Sequence, residues 1–246
     1  MLGTNFWEKQ MNDAWLNFRK RREEVKQYVR FVYDLVKNEN NECLNKESNN
    51  HSPSPKHTVD IRIHKATVLL LLYNLIESTT TSAIVAIYSK IKEDDVCFDN
   101  CSDKIKQVVL NNCRRHFNHS SWQVQNEIQI IKDQHWLIAK YLVYHNFNTN
   151  NILPGNVGLN ELIDLADRYG FSNPASGYNF GFFSSIKDTR NDLAHGNKTF
   201  SEVGQSLGLD DIIRKYVQTI RLMRNTLKSV ESFLQNNEHL ANFIET

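Results

Sequence analysis

Apolar residues recur at three- and four-residue intervals over most of this chain, which is the spacing of amphipathic helices. The first such stretch, Phe6–Val36, predicts a helix of about thirty residues. The stretch that follows, residues 38–58, is polar with two prolines and predicts an exposed loop of the kind that is often disordered. A second helix is expected over Val59–Lys92. Its Val68–Ile76 segment is apolar nearly all round, which places this helix in the centre of the fold.

The next part of the chain has a weaker helical pattern. Residues 94–118 and 121–147 predict two less regular helices, and residues 148–159 contain a proline and two glycines typical of a turn-rich connection. Helical spacing returns over Leu159–Tyr169. Gly170 then follows as a left-handed C-cap, so we expect this helix to end there.

The C-terminal part predicts a short helix and then a long one. The short amphipathic helix covers Phe180–His195 and ends at Gly196, and Asn197–Ser201 is expected to be a loop. Ser201 or Asp210 then caps the last long helix. The apolar seam of that helix is Ile213, Tyr216, Val217, Ile220, Met223, Leu227, Val230 and Leu234.

Long amphipathic helices hide their apolar seams only against one another. The pattern therefore predicts an all-α fold: one domain over residues 1–246, built as a bundle of long antiparallel helices with short helices inserted. Composition agrees with this prediction, because 9 glycines and 4 prolines in 246 residues disfavour a turn-dense β architecture.

Charge and hydropathy exclude several classes of protein. A net charge of +1 argues against a surface that coats nucleic acid non-specifically, although a local basic stripe is compatible with it. No uninterrupted apolar run approaches the ~20 residues of a membrane span, and the N-terminus lacks a stretch of signal-peptide type. We therefore expect a cytoplasmic protein that does not contact a membrane.

Four cysteines in a chain of this size do not indicate a disulfide framework. Cys97, Cys101, Cys113 and His116 are ligand types that zinc accepts, and they form the one alternative metal site in the sequence. Their spacing is not that of a zinc finger, and free cysteine is common in protein cores. We expect no metal and no cofactor.

The candidate chemistry lies in the motif Arg190-Asn191-Asp192-Leu193-Ala194-His195-Gly196. An arginine followed five residues later by a histidine is weak by itself, since Arg114 and His119 have the same spacing. The context differs, because Arg190 and His195 lie at the end of an amphipathic helix with a glycine directly after the histidine. The structural alternative is a helix-terminal arginine and a histidine that favours the helix dipole.

Helix geometry separates the two candidate catalytic side chains. Asn191 and His195 share one face of the helix, so the amide is placed to orient the imidazole. Arg190 lies roughly 140° round the helix from His195. A site assembled from two chains across a two-fold axis would bring both groups to one substrate more readily than a single copy.

Further blocks of the sequence extend this motif in a fixed order. They are Lys65–Leu69, Leu72–Ser78, Gly155-Asn156, Tyr169-Gly170, Lys187–Gly196 and Thr199–Gly204. Together they resemble the MAE-type HEPN-like nuclease family of bacteria, whose signature is Arg-x4-His. The resemblance covers most of the chain from Arg19 onward and fades over residues 97–148, so it lends no support to the cysteine cluster.

The resemblance implies an HEPN-like bundle with metal-independent endoribonuclease activity, usually dimeric, acting as a toxin or effector in defence against phage. His195 would take the ribose 2′-hydroxyl proton or return a proton to the leaving 5′-oxygen, and Arg190 would hold the scissile phosphate. Asn191 would orient the histidine or the phosphate. Attack by the 2′-oxygen leaves 2′,3′-cyclic phosphate ends and spares DNA. The implied partners are RNA, a second copy that completes a composite active site, and an antitoxin or other defence-system protein.

Two further sets of residues are candidates for supporting roles. Glu77 on the central helix is either a partner that holds Arg190 or an ordinary polar residue at a helix junction, and Tyr73 and Asn74 are expected to serve packing and hydrogen bonding. Four basic side chains fall within roughly an 80° arc of the last helix, able to follow a phosphate backbone or simply to form a solvated face. They are Arg214, Arg221, Arg224 and Lys228.

A function of a different class also fits the sequence. HEPN folds occur as inactive scaffolds, so the alternative is a non-catalytic helical module that binds RNA or a partner protein. The intact pair of Arg190 and His195 favours the enzyme. No glycine-rich phosphate loop is present in the sequence, which disfavours an ATPase or a dinucleotide enzyme.

Overall fold

A computed structural model describes residues 6–46, 55–119, 156–177 and 183–241 of the chain. Within these ranges the protein contains α-helices and one 3₁₀ turn, Phe98–Asn100, and no β-strand, which confirms the all-α fold. The helices are α1 (Phe6–Lys46), α2 (Pro55–Glu93), α3 (Asp103–His119), α4 (Leu159–Tyr169), α5 (Phe183–Ala194), α6 (Phe200–Gln205) and α7 (Leu209–Gln235).

Helix α2 is the centre of the bundle, as its apolar pattern predicts. It packs against α1, α5, α6 and α7, and many of its residues are buried, among them Val68, Leu69 and Tyr73. By length and composition alone, Ile61–Glu93 is apolar enough to cross a membrane. More than half of its most apolar window is nevertheless buried inside the fold, as in the core helix of a globular domain.

Helix α1 runs antiparallel to α2. At one end the Trp7 backbone N–H donates to the Glu93 carboxylate at 2.5 Å, and further along the Tyr28 hydroxyl hydrogen-bonds to His64 Nδ1 at 2.7 Å. The indole N–H of Trp15 donates to Glu231 of α7 at 3.3 Å, so α1 bridges the two other long helices.

The predicted loop over residues 38–58 is wrong where the structure describes it. Helix α1 continues to Lys46 and α2 begins at Pro55, so residues 38–46 and 55–58 are helical. Proline is well suited to the first position of a helix, because its missing N–H has no intrahelical partner there anyway. Apolar periodicity detects a helix only where apolar residues recur along it, and the polar sequence of residues 38–46 has no such pattern. Residues 47–54 lie outside the described ranges.

The region after α2 is partly as predicted. The expected helix over residues 94–118 is the 3₁₀ turn followed by α3, and α3 packs against α4 with a Lys104–Asp167 ion pair at 2.6 Å. The helix expected over residues 121–147 lies outside the described residues. Gly170 ends α4 as predicted, with φ at +95° and its N–H donating to Ala166 O at 2.9 Å.

The predicted start of the last helix is wrong. Neither Ser201 nor Asp210 is its N-cap, because an additional short helix, α6, begins after Thr199 and α7 begins after Gly208. Thr199 and Glu202 form a reciprocal capping box at the start of α6. The capping box lies within residues 197–202, so part of the loop predicted over Asn197–Ser201 is the start of a helix.

Gly204 allows α6 to pack directly on the backbone of α2. A Cβ atom at this position would lie 1.8 Å from the carbonyl oxygen of Arg62, far inside van der Waals contact. Because the obstacle is backbone, it cannot move aside as a side chain would. Only glycine fits there, which gives a packing reason for the last residue of the Thr199–Gly204 block.

The buried face of α7 differs from the predicted seam. Ile213 and Val217 are 37% and 46% exposed, whereas Lys215 and Thr219 are buried. The Lys215 amine donates to the hydroxyl of Ser185 on α5, so a hydrogen bond keeps a cationic residue at an inward position. The buried positions of α7 are Ile212, Lys215, Thr219, Leu222, Met223, Thr226, Leu227, Val230, Phe233 and Leu234.

Candidate active site

The C-terminal end of helix α5 places His195 on the surface. The helix ends at Ala194, and Gly196 takes the left-handed conformation with φ at +72°. The Asn197 N–H donates to Asp192 O at 2.8 Å and the Gly196 N–H donates to Leu193 O at 3.4 Å. This is the Schellman pattern of a helix end, with His195 at the C-cap and its side chain exposed.

The turn that carries His195 is anchored by polar contacts on both sides. Asp192 pairs with Lys198 at 2.5 Å, and this hydrogen bond lowers the pKa of the Asp192 carboxyl and raises the pKa of the Lys198 amine. Directly afterwards, the Thr199–Glu202 box begins α6. The imidazole is therefore presented by a defined turn between two capped helices.

Arg190 lies on a different side of α5, against the central helix. Its guanidinium carbon is 4.9 Å from the centroid of the Tyr73 ring, in cation–π contact. Its Nη1 donates to Asn191 Oδ1 at 3.1 Å, and Asn191 Nδ2 donates to Asn156 Oδ1 at 3.0 Å. The Asn191 amide thus contacts Arg190 and Asn156, and not the imidazole that we expected it to orient.

Tyr73 connects this arginine to the segment before α4. Its ring is buried, and its hydroxyl accepts the backbone N–H of Val157 at 3.2 Å. Burial raises the pKa of the Tyr73 phenol, an effect increased by the charge of Glu77 and opposed by those of Arg190 and Lys187. The hydroxyl is therefore neutral at physiological pH, and it acts as a fixed hydrogen-bonding group.

An ion pair ties the same segment to α5. Glu161 accepts the Gly158 N–H at 2.9 Å and pairs with Lys187, which lies one turn before Arg190. Burial is the largest single effect on Glu161 and opposes its ionisation, but the hydrogen bonds from Lys187 and from backbone N–H groups, together with the charge of Lys187, outweigh it, so the pKa of this carboxyl is lowered. The segment from Asn156 to Gly158 is thereby attached to both α2 and α5.

Within one chain, the structure does not bring all predicted site residues together. Among the described residues, Arg190 and His195 make no contact with each other, and the His195 imidazole has no hydrogen-bond partner. Glu77 forms no ion pair with Arg190 in this part of the chain, although the charges of both act on Tyr73. The interpretation of Glu77 as an ordinary polar residue fits this geometry better than that of a direct partner.

The predicted basic stripe lies on the outer face of α7. Its four side chains are exposed, and the exposed Ile213 and Val217 lie on the same side of the helix. The stripe members are Arg214, Arg221, Arg224 and Lys228.

The cysteine cluster can be followed only in part. Cys97 is exposed, whereas Cys101 is buried and donates its S–H to Cys97 O at 3.5 Å. Burial raises the pKa of the Cys101 thiol to about 11. The side chains of Cys113 and His116 lie outside the described residues, and the remainder of the described chain contains no group of three or more His, Cys, Asp or Glu arranged to hold a metal.

Two residues hold Arg190 without a role predicted from the sequence: Tyr73 contacts it directly, and Asn156 acts through Asn191. Tyr73 was assigned to packing, and Asn156 entered only as part of the Gly155-Asn156 block. Each lies far from α5 in the sequence, so local spacing carries no signal for these contacts. The one usable signal was that both belong to blocks of the family resemblance.

Comparison with known proteins gives one match. The family model described as MAE_28990-like HEPN matches residues 16–239 of the chain. No match was found among curated proteins or among solved structures.

Proposed function

The chain belongs to the MAE_28990-like HEPN family, and on that premise we propose that it is a metal-independent endoribonuclease. Membership is consistent with nuclease or other RNA-related function, and the finer assignment rests on the motif itself. The observation that carries it is the contrast at the end of α5. Arg190 is held without a carboxylate partner among the described residues, and His195 is exposed on an anchored turn.

The proposed reaction needs only these two groups and the RNA. His195 accepts the proton of the ribose 2′-hydroxyl as the 2′-oxygen attacks phosphorus, and the bond from phosphorus to the 5′-oxygen breaks. A protonated imidazole returns the proton to that leaving oxygen. Arg190 donates hydrogen bonds to the phosphate oxygens, where negative charge develops in the transition state. The products are a 2′,3′-cyclic phosphate end and a 5′-hydroxyl end.

A second copy of the chain would complete the site. Arg190 faces α2 while His195 lies at the exposed helix end, roughly 140° away round α5. Two copies related by a two-fold axis place the arginine of one chain opposite the histidine of the other. The proposed form is therefore a homodimer with composite sites.

The proposed substrate is RNA, and the proposed setting is a conflict with phage or a similar element. The exposed basic stripe of α7 supports binding to an RNA backbone, whose phosphates attract a line of cations. A nuclease of this type acts on cytoplasmic RNA in phage defence or a similar conflict, where an antitoxin or other partner protein restrains it.

The test is cleavage of a mixed tRNA and mRNA substrate in excess EDTA. We expect the wild type to leave cyclic phosphate ends and His195→Ala to be inactive. Gln205→Ala serves as the matched control, since it removes an exposed polar side chain from the neighbouring helix and should leave cleavage unchanged. Equal cleavage by wild type and His195→Ala would exclude His195 from the mechanism. Absence of cleavage by the wild type would favour the non-catalytic binding module.

A further inference from the structure

The contacts of Arg190 form a closed circuit through three separate segments of the chain. The guanidinium lies on the Tyr73 ring of α2, and the Tyr73 hydroxyl accepts the N–H of Val157. The neighbouring residue, Asn156, accepts from Asn191 of α5, and Asn191 accepts from Arg190. Asn191 is the sequence neighbour of Arg190, whereas Tyr73, Asn156 and Val157 are brought to it by the packing of distant segments.

The direction of the hydrogen bonds in this circuit is dictated by the arginine. A guanidinium has only donors, so Asn191 must present its oxygen to Arg190 and its NH₂ group to the other side. Asn156 must then present its own oxygen to that NH₂ group. Asn156 therefore fixes the orientation of the Asn191 amide, and through it one edge of the guanidinium.

The groups that hold Arg190 leave its charge available. The described residues give the guanidinium an aromatic face and one amide oxygen, and no carboxylate. A carboxylate would neutralise the cation and compete with an anionic ligand for the same donors. Arginine has five N–H donors, and the hydrogen bonds within the described part of the chain use one of them, so their pattern leaves donors for a phosphate.

We propose that Tyr73 and Asn156 are positioning residues for Arg190: the ring and the amide relay hold the guanidinium in the orientation that binds the scissile phosphate. This inference rests on the proposed ribonuclease function for its substrate. Neither residue touches the reacting atoms, and their effect reaches the reaction only through Arg190.

The activity test uses Asn156→Ala, with Asn160→Ala as the matched control. Asn160 is an exposed asparagine on the first turn of α4, outside the circuit. We expect Asn156→Ala to lower kcat about 10- to 100-fold and to change KM by less than about threefold, since a small displacement of a positioned group acts mainly on the transition state. Equal kcat for Asn156→Ala and Asn160→Ala would overturn the proposal.

A second pair of variants separates the ring from the hydroxyl. Tyr73→Phe keeps the cation–π contact and removes the hydroxyl that accepts the Val157 N–H, so kcat should fall less than in Tyr73→Leu, which removes the ring as well. Circular dichroism would establish that each variant is folded. A larger loss in Tyr73→Phe than in Tyr73→Leu would contradict a role for the ring.

An independent readout distinguishes failure of this proposal from failure of the proposed function. In ¹⁵N-labelled protein without RNA, the Arg190 Nε–H resonance should be shifted by the Tyr73 ring and exchange slowly with water. Asn156→Ala should move it toward the resonance of the exposed Arg224, while Asn160→Ala should not. If the wild type cleaves no RNA, the ribonuclease assignment fails while this spectrum still decides whether Tyr73 and Asn156 hold Arg190. A resonance unchanged in Asn156→Ala would overturn the positioning role.

Discussion

Lys90 and Arg190 both lie against aromatic rings, but their other neighbours differ. Lys90 lies 5.4 Å from the Trp7 ring centroid and Arg190 lies 4.9 Å from that of Tyr73. Lys90 is also paired with both oxygens of Asp94, at 2.7 and 2.6 Å. Arg190 has an amide oxygen in that place. The carboxylate of Asp94 neutralises the charge of Lys90, whereas no carboxylate of the described residues pairs with Arg190.

The two histidines near these cations show the same contrast. His239 is fully buried, and its Nε2 must carry the proton because it donates to Asp94 Oδ2 at 3.1 Å. Burial lowers the pKa of His239, although Asp94 opposes the shift. His195 is exposed on its turn. The imidazole in the Asp94 region is therefore enclosed and paired, whereas the imidazole at the end of α5 faces solvent.

The largest expected effect is that of removing Arg190. Arg190→Ala should lower single-turnover RNA cleavage about 10²- to 10³-fold, because a charge-stabilising donor is lost from the transition state. Lys90→Met should leave cleavage per folded molecule unchanged, since its charge faces Asp94. A loss of cleavage in Lys90→Met equal to that in Arg190→Ala would remove the distinction between the two regions.

Mixing two inactive variants tests whether the site is shared between copies. Arg190→Ala and His195→Ala subunits, unfolded together and refolded at equal amounts, should recover about a quarter of wild-type activity. Half of the dimers formed at random are mixed, and each of these has one intact pair of groups. Activity no higher than that of either variant alone would place both groups in one chain.

The next effect is on stability. Asp94→Ala leaves Lys90 and His239 without their shared carboxylate, and we expect the free energy of unfolding to fall by about 2–3 kcal/mol in urea. This is below the ~3–5 kcal/mol of a fully enclosed pair because Asp94 remains partly exposed. His195→Ala should change the free energy of unfolding by less than about 0.5 kcal/mol. The reverse ranking would contradict the division of roles.

The smallest effect is a pH dependence of stability. The pKa of His239 is lower in the folded protein than in the unfolded chain, so below the ordinary histidine pKa of ~6.5 the unfolded chain binds the proton first. Stability present above that pH should therefore decline as the pH falls toward the folded-state pKa. His239→Gln should flatten this slope in urea titrations between about pH 7 and 5, and Gln205→Ala, which removes no titratable group, should leave it in place.

The helical core could be predicted from the sequence, but the faces and ends of the helices only in part. Periodicity located α2 at the centre, and the glycine rule placed the end of α4 at Gly170. Periodicity predicted the wrong buried face for α7, because Lys215 and Thr219 are polar residues at buried positions. The apolar spacing also predicted too early an end for α1, because the spacing stops near Val36 while the helix continues to Lys46.

The candidate site shows the same limit. The motif placed Arg190 and His195 on different sides of one helix, and the structure agrees with that geometry. The contact of Arg190 with Tyr73 and the contact of Asn191 with Asn156 join segments that are far apart along the chain. Such contacts depend on how α2, α4 and α5 pack, and no local pattern of residues records them.

The most direct test of the central claim uses a single defined RNA that the wild type cleaves in EDTA. One 2′-deoxynucleotide is placed on the 5′ side of the mapped cleavage position, and the products are compared with those of the all-ribose RNA. We predict that cleavage at this position disappears while other positions are still cut, since the attacking 2′-oxygen is missing there. Continued cleavage at the deoxy position would contradict the mechanism assigned to His195 and Arg190.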